Sequence, residues 1–162
     1  MNEEYPKRKK IHIPGFDYKG SGHTYFMTIG AYRKHQHFRN PDIADIVVQD
    51  LLYRCNQLNQ INLYCYCLMP YHLHLLLSLN HTYKRSLQNW VADFKRLTTK
   101  LIHKNTNIKV QIWQRDFYEH IIRKEESLIQ KAKYILDNPA RKGLSKDWEG
   151  YKYSGFVKPL PM

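Results

Sequence analysis

Met69-Pro70-Tyr71-His72-Leu73-His74-Leu75-Leu76-Leu77-Ser78-Leu79 is the stretch on which the fold turns. In a strand, alternate residues share a face, so Leu73, Leu75, Leu77 and Leu79 point one way and His72, His74, Leu76 and Ser78 the other. The leucines belong to a core. A slip of one residue would bury both imidazoles among them, so the alternation itself fixes the register. Pro70 and Tyr71 read as a tight connection from an earlier strand, Ile61 to Met69, and the two strands make a hairpin.

Upstream, the β-rich run Thr24 to Tyr32 reads as a first strand. Asn40 and Pro41 are N-cap and first-turn signals for a helix. Ile43, Ile46, Val47, Leu51, Cys55 and Leu58 recur at helical spacing and carry that helix to about Gln57. Downstream, Leu87, Trp90, Val91, Phe94, Leu97 and Leu101 mark one face of a long amphipathic helix. A short strand is expected from Val110 to Trp113. A last helix is expected from about Glu125, with two carboxylates at its positive end, to a stop at Asn138-Pro139. The order strand, helix, strand, strand, helix, strand, helix is that of an α+β, ferredoxin-like (RRM-like) antiparallel sheet. Two helices lie on one face, a further C-terminal helix carries a tyrosine, and the second sheet face is left open, as in sheets that receive bases.

The chain has 162 residues, room for one core, and no repeat or linker divides it, so residues 1–162 form one domain. Lysine and arginine total 26 against 14 acidic residues, a formal charge of +12 that points to a polyanionic partner. At 43% hydrophobic and 14% aromatic residues, the chain is too apolar to be a disordered basic tail. Residues 1–22, with Lys7, Arg8, Lys9 and Lys10 followed by Pro14, Gly15, Gly20 and Gly22, read as a mobile basic arm. No apolar run reaches membrane-spanning length and the start lacks the pattern of a signal peptide, so no membrane partner and a cytoplasmic location are expected. Cys55, Cys65 and Cys67 form no CxxC pair and read as reduced, small apolar residues.

Two features carry chemistry. His72 and His74 stand side by side at roughly 7 Å along the strand, close enough for their rings to converge on one cation. Taken alone, a His-x-His pair is more often a pair of structural histidines on a half-exposed strand face. On the last helix, Leu128, Ile129, Ala132, Ile135 and Leu136 form the apolar face and Tyr134 lies roughly opposite its centre. Lys131 and Asn138 share the tyrosine's side. Such a group could present a phenol, a cation and an amide oxygen to a phosphate and a metal; the other reading is an ordinary surface tyrosine.

Four segments in order resemble the single-tyrosine HUH transposases, especially the REP-associated tyrosine transposases and their insertion-sequence relatives. Met69 to Leu76 resembles the family's HUH strand, with Leu73 as its hydrophobic residue. Ile112-Trp113-Gln114-Arg115-Asp116-Phe117-Tyr118-Glu119-His120-Ile121-Ile122-Arg123 is similar to the segment before the tyrosine helix. Tyr134 to Pro139 with Gly143 and Leu144 matches the helix end, and Trp148 to Ser154 a following Trp, Tyr, Ser block. Tyr71 departs from the pattern, where the family's usual residue is Asn.

The resemblance implies a metal-dependent enzyme that nicks and rejoins single-stranded or hairpin DNA through a covalent 5′-phosphotyrosine, as a monomer or homodimer. The family's nucleophile maps onto Tyr134, its HUH ligands onto His72 and His74, and its third ligand onto Asn138, with Mg²⁺ or Mn²⁺ as the natural cation. Lys95, Arg96, Arg115, Arg123 and Lys131 are candidates for contacts to the DNA backbone, and Tyr118 or Trp113 for stacking on an unpaired base. The alternative on the same fold is a catalytically inactive nucleic-acid-binding module or domesticated regulator. The combination of His72, His74 and Tyr134 separates the two, since pure binding needs no such trio.

Overall fold

A computed structural model describes residues 22–123 and 125–161. The expected arm, apart from Gly22, lies outside the described residues, as do the side chains of the two carboxylates at the start of the last helix. The elements are β1 (Thr24–Gly30), α1 (Pro41–Asn56), β2 (Ile61–Met69), β3 (His72–Leu79), α2 (Leu87–Asn105), β4 (Tyr118–Ile122), α3 (Glu125–Arg141) and β5 (Ser154–Phe156). Two 3₁₀ turns, Tyr32–Lys34 and His37–Arg39, join β1 to α1. The strands form one sheet in the order β4-β1-β3-β2-β5, with every neighbouring pair antiparallel. The first four strands with α1 and α2 have the βαββαβ order expected, and β5 adds a fifth strand at the β2 edge.

The hairpin forms with the expected ends, and α1 starts where the caps place it: the Asn40 side chain accepts from the Asp42 N–H at 3.0 Å. Ser86 caps α2 in the same way by accepting from the Asn89 N–H. One core lies between the sheet and α1 and α2. It joins Tyr25, Met27, Ile29, Leu73, Leu75, Leu77 and Leu79 to helix residues such as Leu51, Trp90 and Phe94.

The second face is not open. Leu128, Ala132, Ile135 and Leu136 of α3 bury themselves there against Phe26, Tyr64, Cys65, Cys67, Met69 and Leu76. An amphipathic helix must cover its apolar stripe, and the apolar residues on the far side of the sheet supply the surface. All of β3 is therefore buried. A bulge at Tyr64, between Leu63 and Cys65, shifts the β2 register so that both Cys65 and Cys67 lie under α3.

Three further expectations are corrected. Val110 to Trp113 is not a strand: Trp113 makes one isolated bridge to Ala31. Its ring is drawn into the core against Phe38 and Phe94, with the indole N–H donating to Thr98 Oγ1 at 2.9 Å. The edge strand is instead β4, paired to β1. Ile129 is exposed, outside the apolar stripe. Finally, α3 does not stop at Asn138 but runs through Pro139 to Arg141. Its end is a Schellman motif: Leu144 N–H bonds Pro139 O at 2.9 Å, Gly143 N–H bonds Ala140 O at 3.1 Å, and Gly143 takes φ +69°.

Candidate active site

The covered face of the sheet, where α3 meets β1 and β3, holds the polar residues. Antiparallel pairing sets Thr28 opposite His74 and Gly30 opposite His72. The imidazoles are neighbours, with ring centroids 4.3 Å apart at 71°. They are not half exposed as expected: His72 and His74 are 2% and 4% accessible. Burial, with Lys142 nearby, pushes His72 down to about 3. Burial holds His74 far below the ordinary histidine range too, helped by His72 and Arg141. Both rings are thus neutral at pH 7, the form that binds metals. A hydrogen bond of 2.9 Å to Thr28 Oγ1 occupies His74 Nδ1 and leaves Nε2 as the nitrogen open to a cation.

Tyr134 sits at the flank of α3 rather than opposite its buried stripe. Its ring lies 5.7 Å from the His74 ring and 5.8 Å from Phe26, while 37% of the residue remains accessible. Asn138 is one turn further on and, at 100° per residue, about 40° nearer the stripe. That offset buries it completely. Its amide donates to Tyr134 O at 3.1 Å, but Oδ1 is buried with no hydrogen-bond partner. A stranded acceptor costs about 1–3 kcal/mol unless an ordered water or an ion meets it. By donor type, two neutral imidazoles and this amide oxygen suit a divalent cation. The neighbouring thiols do not: burial pushes Cys65 and Cys67 up to about 12, and all three cysteines are free, as expected.

Arg141 is a site residue that sequence reading missed. Its guanidinium carbon lies 4.2 Å from the centre of the Tyr134 ring, and it donates to Tyr134 O at 3.3 Å. Seven residues is nearly two helical turns, so the spacing was available as a signal, but ending the helix at Pro139 concealed it. Thr28 was missed because only the strand register brings it to His74.

The expected DNA-contact residues divide. Lys131 is at the site's edge, its ammonium 4.8 Å from the centre of the Phe26 ring. Arg123 is exposed at the end of β4, and both it and Lys131 act electrostatically on His120, which faces Phe26 across the sheet. Tyr118 pairs opposite Thr28 on this face, half-buried, with its ring 6.2 Å from Phe26. Arg115 is exposed in the loop before β4. Lys95 and Arg96 are on α2, across the sheet. Lys95 donates to the carbonyls of Gln114, Arg115 and Asp116 at 2.8–3.1 Å and holds that loop. Arg96 is exposed and pairs with Asp93 at 3.6 Å. Trp113, at 3% accessible in the other core, cannot stack on a base without unpacking it.

Comparison with known proteins bears on the family and the fold. A Haemophilus influenzae protein named as a candidate REP-associated tyrosine transposase is 32% identical over 102 residues, spanning 58% of this chain and 58% of that protein. A second, uncharacterized Haemophilus influenzae protein is 27% identical over 160 residues, 82% of this chain and 88% of its own. The solved structure of a REP-associated tyrosine transposase bound to a REP hairpin has the same fold, with a TM-score of 0.64 over 86% of this chain and 79% of that one at 22% identity. The family model described as "Transposase IS200 like" matches residues 20–138, from before β1 through Asn138, and the chain accordingly belongs to the IS200-like family of tyrosine transposases, enzymes that cut and rejoin DNA.

Proposed function

We propose that this transposase nicks and rejoins single-stranded or hairpin DNA with Tyr134 as nucleophile, and that His72, His74 and Asn138 hold a divalent cation, Mg²⁺ or Mn²⁺, beside it. The observation that carries the reading is the Tyr134 ring packed 5.7 Å from the ring of buried His74, itself beside His72, and one helical turn from a stranded amide oxygen. The hairpin seen bound to the solved relative supports DNA of that form as substrate.

When bound, the cation supplies Lewis-acid polarisation of the scissile phosphate. The rest is done by the chain. Packing between Phe26 and Arg141 restrains the Tyr134 ring while leaving it accessible, so the phenol is positioned before DNA arrives. Its oxygen forms a bond to phosphorus, the bond from phosphorus to the 3′ oxygen breaks, and that oxygen leaves as a hydroxyl once protonated. The phenolic proton passes to solvent. The 5′-phosphotyrosine keeps the reactivity of the original diester, so a 3′-hydroxyl from the same or another strand can attack it and rejoin DNA without ATP. Arg141, Lys142, Lys131 and Arg123 place positive charge where the backbone would run. α3 packs over β2 and β3, and at the β4 side the half-buried Tyr118 and exposed His120 are within reach of bases.

The test is a covalent adduct. Wild-type protein, single-stranded and hairpin DNA pools and Mg²⁺ should give a band that survives denaturation and maps to Tyr134 by peptide mass spectrometry. A band mapping to another tyrosine would overturn the assignment, and no band with any pool would favour the binding module.

A further inference from the structure

We infer that the loop joining β1 to α1 is a second DNA-backbone contact, at the His72 end of the site; this rests on the function proposed above. Arg33, Lys34 and Arg39 are exposed there within seven residues. Arg33 and Lys34 adopt φ 52° and 57°, consecutive left-handed residues that carry side chains rather than being glycine. Such backbone is disfavoured for any residue with a Cβ and concentrates at functional sites. The loop is tied to the turn that precedes His72: Ala31 N–H bonds Tyr71 O at 2.9 Å and Phe38 N–H bonds Pro70 O at 3.1 Å. Tyr32 N–H bonds Ile112 O at 2.8 Å, and Phe38 is anchored in the core. Arg33 lays its guanidinium over the Tyr32 ring at 5.1 Å, and a rigidly held loop that presents cations in this way is suited to meet an anion.

Position identifies that anion. Lys131 lies over Phe26, Tyr134 bridges Phe26 and His74, Arg141 covers Tyr134, and the loop begins just past Gly30, opposite His72. From Phe26 to Ala31 is about 16 Å along β1. Positive charge therefore flanks the Tyr134–histidine site at both ends, as a strand threading across it requires.

The test measures salt-dependent binding of a dye-labelled, mixed-sequence single-stranded oligonucleotide, in a Tyr134→Phe background that cannot react. Arg33→Gly with Arg39→Gln removes two cations while giving the left-handed position the residue it favours. The melting temperature should hold or rise, and the slope of log affinity against log salt should shrink by about 1.4, at about 0.7 per phosphate contact. Lys100→Gln with Lys104→Gln, on the far face, removes the same charge and should leave the slope unchanged. Equal slopes for loop variant and parent, or equal loss in the control, overturn the loop assignment. A parent protein that binds no strand overturns the function on which it rests.

A second observation, independent of charge, concerns Gly30. A Cβ there would run into the Gln114 carboxamide, whose Cδ lies 3.1 Å from the Cβ position. A glycine inside a strand often marks such a close approach. Gly30 faces His72, so the Gln114 amide occupies the place of a side chain beside that imidazole. Gln114 N–H also bonds Gly30 O at 2.9 Å, and Lys95 holds Gln114 O from behind. We propose that Gln114 is a positioning residue for His72. The probe is Co²⁺ or Mn²⁺ alone, titrated into DNA-free protein. Gly30→Ala, which displaces only the flexible end of Gln114, and Gln114→Leu should each weaken metal binding by roughly tenfold or more and alter the Co²⁺ absorption spectrum. Their combination should be no worse than either alone. Unchanged affinity in both variants, in a wild type that binds metal, overturns the role; no binding in the wild type overturns the metal site itself.

Discussion

The two faces of β3 differ by a single residue step along one strand. Leu73, Leu75, Leu77 and Leu79 enter a core where Trp90 and Phe94 of α2 stack 5.4 Å apart. His72 and His74 enter an equally buried space under α3, but that space is lined with polar atoms, with a hydrogen bond between Thr28 and His74 and a stranded Asn138 oxygen. Burial on the first face supplies stability through apolar area. On the second it holds the imidazoles neutral and away from water, the state that the proposed metal site requires. Equal burial therefore serves opposite ends, according to what is buried.

Four substitutions would break or sharpen that contrast. Tyr134→Phe should have the largest effect, complete loss of covalent adduct, while thermal melting and DNA affinity stay near wild type; an adduct on denaturing gels from this variant would remove the nucleophile from the histidine face. His74→Ala, or chelation of the wild type, should lower cleavage by orders of magnitude in a gel assay. Circular dichroism should show a folded His74→Ala protein, because the deletion falls outside the leucine core. Leu75→Ala should invert the pattern: about 2–5 kcal/mol of stability lost in urea unfolding, with near-normal cleavage per folded molecule. If Leu75→Ala abolished cleavage while remaining folded, the two faces would not be functionally separate. The smallest effect should come from Thr28→Val, which keeps the shape but removes the partner of His74 Nδ1. Calorimetric titration should then show metal binding weakened by about 10- to 100-fold, and an unchanged constant would mean that packing alone orients the ring.

Much of the fold was legible in local pattern. Both strands of the hairpin and the capped start of α1 follow from alternation and from Asn40-Pro41, because these signals are complete within a few residues. The misreadings share one cause. Val110 to Trp113 has strand composition, but Trp113 gains more from packing on Phe38 and Phe94 than from a ladder. Pro139 looks like a stop, yet the helix runs on through it, forgoing the one N–H bond back to Ile135 O, and closes at Arg141 on a glycine-terminated end. The three-residue β5 and the Tyr64 bulge exist only because neighbouring strands select them.

The candidate site divides along the same line. The sequence by itself determined that His72 and His74 share a face, that leucines take the other, that Tyr134 stands off the apolar stripe of its helix, and that the chain carries a large positive charge. Those properties depend on period and residue type, which are local. Only the tertiary structure decided that α3 closes over the histidines and neutralises them, that Asn138 is buried with an unpaired oxygen, that Thr28 meets His74, and that Arg141 covers the tyrosine. Depth of burial and choice of partner depend on which distant element lands on a surface. That choice is made by the apolar stripe of α3 and the far side of the sheet together, since neither can shed its water alone.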